Sequence, residues 1–122
     1  MRLLGSLTED DIRRRLSASN AALRAGNNPL LRAALLSCGV DLRTAFVLHW
    51  IPEQAEDIYT VLDGTRQVLT IELARGDSSE PTEVDAIPLA DYSEAVARGS
   101  RSERLQFAVA MDLLREASDD SA

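Results

Sequence analysis

The dipeptide Asp63-Gly64 constrains this chain more than any other feature, because it separates two runs suited to extended backbone, residues 58–62 and 66–73. Asp-Gly accepts the positive φ angles of a tight two-residue hairpin turn, so the two runs read as neighbouring antiparallel strands. A two-residue loop pairs Leu62 with Thr65, Thr60 with Gln67 and Ile58 with Leu69. That register puts Ile58, Leu62, Leu69, Ile71 and Leu73 on a core face and Tyr59, Val61, Arg66, Val68 and Glu72 on the other. Residues 44–50, aromatic and β-branched, predict a strand before the hairpin. Residues 84–87 predict a short edge strand after it, closed by Pro88.

Helical signals flank this block. Thr8 and Asp11 have capping-box spacing, and Ile12, Leu16 and Leu23 share the apolar face of a helix that stops at Gly26-Asn27. Asn28 with Pro29 opens a second helix, apolar nearly all round, ending at Gly39. Leu89, Tyr92 and Val96 mark a third. Ser100 and Glu103 form a second capping box, starting a last helix expected to run to about Ala117, with residues 118–122 a disordered acidic tail. The order ααββββαα predicts a single α+β domain over residues 1–117. It is a two-layer fold: a four-stranded antiparallel meander with N-terminal and C-terminal helical pairs packed on one face.

Charge narrows the function classes. Twenty acidic against thirteen basic residues leave a net charge of −7, which argues against nucleic acid as the main ligand, since phosphate contacts need a basic footprint. No apolar run suits a bilayer span, the segment 1–5 is too short for a signal-peptide core, and a lone Cys38 forms no internal disulfide, so a cytoplasmic protein is expected. All thirteen basic residues are arginine, the usage of a GC-rich bacterial genome.

Candidate chemistry concentrates in residues 49–57, which hold the sole His, the sole Trp and three carboxylates. A catalytic reading makes His49 a general base oriented by Glu53 or Asp57. It is outweighed by a structural histidine at a strand end, since the carboxylates lie beyond Pro52 and no nucleophile stands at recognisable spacing. Zinc needs about four convergent ligands, mostly Cys and His, of which the chain has one each. A calcium loop of Glu53, Glu56 and Asp57 lacks the EF-hand ligand spacing and glycine. Phosphate-binding glycine motifs are absent. Neither catalytic residues nor a metal site nor a cofactor is expected, and the Arg13-Arg14-Arg15 run reads as a solvated helix face.

Topology supplies the remaining inference. In a meander, the loop joining the first two strands and the loop joining the last two, residues 51–57 and 74–82, lie at one end of the sheet. That rim would gather Glu53, Glu56, Asp57, Asp77, Glu80 and Glu83, with Trp50 beside them. An acidic rim with an aromatic anchor suits a basic protein surface. The expected function is a non-enzymatic, acidic protein-binding module of a bacterium, such as an inhibitor, immunity protein or secretion chaperone. Two alternatives stand beside it: a small enzyme or ligand-binding domain with a pocket around His49, Tyr59 and Glu53, and a structural subunit assembling through a sheet edge.

Overall fold

The computed structural model describes residues 8–74 and 83–120, the last three by backbone alone. It contains α1 (Glu9–Ala25), α2 (Pro29–Ser37), β1 (Ala45–Pro52), β2 (Glu56–Asp63), β3 (Gln67–Ala74), β4 (Glu83–Pro88), α3 (Leu89–Ala97) and α4 (Arg101–Asp120), with a 3-10 turn at Leu42–Thr44 before β1. One antiparallel sheet has the order β1-β2-β3-β4. With its N-terminal and C-terminal helices it makes the α+β, two-layer arrangement that the element order predicts. The last helix continues through residues 118–120, where the sequence pattern places the tail.

The local signals form as their chemistry requires. Thr8 Oγ1 accepts the Asp11 N–H at 3.2 Å, and Asp11 accepts the Thr8 N–H at 3.3 Å. A cap of this kind stabilises a helix by about 1 kcal/mol. Asn28 caps α2 by accepting the Leu31 N–H, with Pro29 at the first helical position. Ser100 and Glu103 exchange the same reciprocal bonds at the start of α4.

The hairpin departs from the expected register. Asp63 pairs with Gln67 and Leu62 with Val68, so the loop holds three residues, Gly64, Thr65 and Arg66. Asp63 belongs to the strand: its buried carboxylate accepts the Gln67 side-chain amide at 2.8 Å. Gly64 takes φ 55° and donates its N–H to the Thr44 carbonyl at 3.0 Å. That contact docks the turn against the start of β1 and sets where the strands begin to pair. The register moves by an odd number of positions, so β2 is inverted relative to β3. Tyr59 and Val61 lie with Leu69, Ile71 and Leu73, whereas Ile58 and Leu62 lie with Val68 and Glu72.

The core forms two clusters, one on each face of the sheet, so the helical pairs are divided between the two faces rather than packed on one as expected. Phe46, Leu48, Leu62 and Val68 pack against Ile12 and Leu16 of α1 and Val109, Ala110, Leu113 and Leu114 of α4, with Leu89 and Tyr92 of α3 at the margin. Ala45, Val61, Leu69, Ile71 and Leu73 pack against Leu23 of α1 and Leu31, Ala34 and Leu35 of α2. Helix α1 serves both clusters because it runs along the outer edge of β1. There Ser19 Oγ accepts the Val47 N–H at 3.1 Å. The Asn20 amide donates to the Ala45 carbonyl at 2.8 Å and the Leu42 carbonyl at 2.7 Å. Gln106 of α4 donates to the Leu48 carbonyl at 2.7 Å.

Asn20 and Gln106 are buried polar residues whose donors match strand carbonyls. Replacing Asn20 with Ala leaves those acceptors unsatisfied, at a cost of about 1–3 kcal/mol. Asn20→Asp should cost more, since a carboxylate has nothing to donate and repels the carbonyls it faces. Urea unfolding of the two variants tests this order; equal stabilities would show that the Asn20 amide does not hold the strand edge.

Candidate functional site

The rim is built where β1 turns into β2. Glu53 donates its N–H to the Glu56 carbonyl at 2.8 Å, closing the turn. Before it, the β1–β2 ladder shifts register between Val47 and His49. This bulge adds one residue to β1 and exchanges the faces of the residues beyond it. Trp50 comes opposite Tyr59, and His49 opposite Thr60. Trp50 therefore stacks on Tyr59, with ring centroids 6.4 Å apart and planes 10° from parallel. Its indole N–H donates to Asp57 Oδ1 at 3.1 Å. Even so Trp50 is 60% exposed, so it is held in one orientation while most of its surface meets solvent.

The opposite face of the rim carries Ile51, 52% exposed, paired with Ile58, whose other neighbour is Glu72. Glu72 pairs in turn with Glu83 of β4, and Glu56 lies one alternate position away on β2. The three carboxylates crowd together. A hydrogen bond shared with Glu83, then loss of solvation, then repulsion by Glu83 and Glu56 push the Glu72 carboxyl up to about 7. Near neutrality Glu72 is thus partly protonated rather than adding a full charge.

Of the seven residues expected at the rim, Trp50 and Asp57 lie on one face and Glu56 and Glu83 on the other, with Glu53 on the turn between them. Asp77 and Glu80 lie outside the described residues. Glu72 was missed: alternation on β3 placed it on the outer face, but its neighbourhood depends on the β3–β4 register, which nothing in the sequence specifies.

His49 and Tyr59 project from opposite faces, so the pocket expected around His49, Tyr59 and Glu53 does not assemble as one. His49 borders a hollow with Arg15, Leu48 and Ile51. Burial, then the Arg15 charge, lower its pKa, with Glu103 opposing. Asp57, one of its expected orienting groups, is engaged by the Trp50 indole on the other face. Tyr59 instead walls a cleft of about 240 Å³ between β1 and the α1–α2 junction, floored by Leu23, Leu31 and Val47. Its hydroxyl accepts the Asn28 amide at 3.2 Å. The Arg13-Arg14-Arg15 run is dispersed: Arg13 pairs with Glu116 of α4, Arg14 with Asp11, and Arg15 faces His49. Among the described residues no group of three or more His, Cys, Asp and Glu is arranged to hold a metal ion, and no helix is long and apolar enough to cross a membrane.

Neither protein-family models nor curated proteins nor solved structures give a match to this chain.

The Glu72 proton has a thermodynamic consequence. The native state holds a proton that the unfolded chain releases nearer its ordinary value of 4.5. Glu72 therefore contributes stability below about pH 4.5 that is lost as pH rises through about 7. Glu72→Gln removes this dependence, so its stability relative to the parent should rise between about pH 5 and pH 8. Urea midpoints at the two pH values measure it; a difference that stays constant would mean that the three carboxylates do not interact.

Proposed function

We propose that this chain is a non-enzymatic protein-binding module that engages a basic protein partner through the acidic end of its sheet. The single observation that carries this reading is the exposed Trp50, fixed by Tyr59 and Asp57 at the end of the sheet whose turn carries Glu53 and whose other face carries Glu56 and Glu83. An ordered aromatic side chain gives large contact area at small entropic cost, and carboxylates at the same end of the sheet steer and select a cationic surface. The net charge of −7 supports a basic protein over nucleic acid or an anionic membrane. Inhibitors, immunity proteins and secretion chaperones of bacteria work by such surface complementarity, without a catalytic centre, and they are the classes this reading favours.

One specific observation favours a second reading. The cleft beside Trp50 and Tyr59 is lined mainly by apolar groups, with Ser19, Asn28 and the Tyr59 hydroxyl as its polar features. It suits a small apolar ligand or an apolar side chain of the partner.

The two parts of the proposed surface separate kinetically. Reversing Glu53, Glu56 and Glu83 to Arg should slow association with the partner isolated from the native host and flatten its salt dependence. Trp50→Ala should mainly speed dissociation, by a loss of roughly 1–3 kcal/mol if the indole is a buried anchor. Association and dissociation rates at low and high salt decide the matter. Unchanged rates in the rim variants, with binding lost on substitution of residues 13–15, would move the site to α1.

A further inference from the structure

The two edges of the sheet are treated differently. On the first half of β1, residues 45–48, outward groups are taken: Val47 N–H by Ser19, the Ala45 carbonyl by Asn20 and the Leu48 carbonyl by Gln106. On β4 all six residues, Glu83–Pro88, are exposed. Among the described residues, no side chain or loop hydrogen-bonds the outer side of β4 up to Pro88. The Leu89 N–H donates to the Arg66 carbonyl, which only continues the ladder with β3 on the inner side. An open strand edge is a template for another extended segment.

The side chains along this edge say what kind of segment fits. Glu83 and Asp85 stand on the face of Glu72 and Thr70, so this side of the edge carries two carboxylates, followed by Ile87, 40% exposed. Val84 and Ala86 stand on the face of Ile71 and Leu69, and Val84 is 36% exposed. We infer that β4 takes up an extended segment of a basic protein as an added strand, in which basic side chains alternate with small apolar ones. Basic residues then lie beside Glu83 and Asp85, and apolar ones beside Val84 and Ala86. This rests on the basic-partner reading above and adds the mode of recognition. Main-chain hydrogen bonds supply affinity, and the alternation supplies selectivity. A second copy of this chain is a poor occupant, because two β4 edges would set their carboxylates beside each other, and like charges across a ladder are destabilising.

The probe is a short synthetic peptide of alternating arginine and valine, compared with the same peptide methylated on its central backbone nitrogens. Methylation keeps charge and side chains but removes the donors and crowds the acceptors needed for strand pairing. The unmodified peptide should bind, protect the outward amides of Val84 and Ala86 from hydrogen exchange, and lose roughly tenfold or more in affinity on methylation. Glu83→Lys with Asp85→Lys, both on exposed positions, should weaken it to a similar degree. Equal affinity for the two peptides overturns strand addition while leaving a charge-selective rim intact. Failure of the unmodified peptide to bind, with the basic partner protein still bound, also overturns it. Sedimentation that shows dimers formed with protection of Val84 and Ala86 makes a second copy the occupant and overturns it as well. Peptide binding that survives the reversals of Glu53 and Glu56, while those reversals leave partner kinetics unchanged, retains the edge and removes the rim.

Discussion

Three polar side chains hold the outer edge of β1, and the placement of nearly everything else depends on them. Ser19 and Asn20 come from the middle of α1, and Gln106 from α4. Buried amides cost free energy unless bonded, so these contacts act through what happens when they are missing more than through their net gain. Because Ser19 and Asn20 sit between Leu16 and Leu23, α1 turns its earlier apolar residues to one core cluster and its last to the other. The same bonds occupy the outer edge of the first half of β1, whereas β4 is exposed along its whole length.

The bulge beside this anchored segment decides the candidate site. With one extra residue in β1, Leu48 remains in the core with Phe46, while Trp50 crosses to the face of Tyr59. An unbroken ladder would have set Trp50 opposite Ile58 and left Tyr59 facing His49. The exposed aromatic anchor, the adjoining cleft and the separation of His49 from Tyr59 thus share one cause. Gln106 bonds the carbonyl of Leu48 itself, tying the irregularity to α4.

The carboxylates at the rim are arranged by pairing across three strands. Glu56, Glu72 and Glu83 are far apart in sequence and meet because β2, β3 and β4 are antiparallel neighbours. Their mutual repulsion is eased by a proton on Glu72, and a cationic side chain arriving nearby would relieve it in another way. The acidity of the chain is therefore not spread evenly: part of it is concentrated beside the apolar residues Ile51 and Ile58, the pairing of charge and apolar surface used in selective protein contacts.

The sequence by itself determined what depends on a few neighbouring residues. The caps at Thr8, Asn28 and Ser100, the proline at the start of α2, and the four strands with their order were legible because a cap or turn is satisfied within about four residues. Meander topology likewise brought the end of β1 and the start of β4 to one rim. The tertiary structure alone decided the register and the faces. Asp63 was legible as a turn residue, but its bond to Gln67 and the docking of Gly64 on Thr44 made it the last residue of a strand. The bulge at Leu48 and the meeting of Glu72 with Glu83 were equally hidden. Each depends on which distant backbone groups find partners, and alternation of side chains fixes faces only once such a long-range contact has set the starting point.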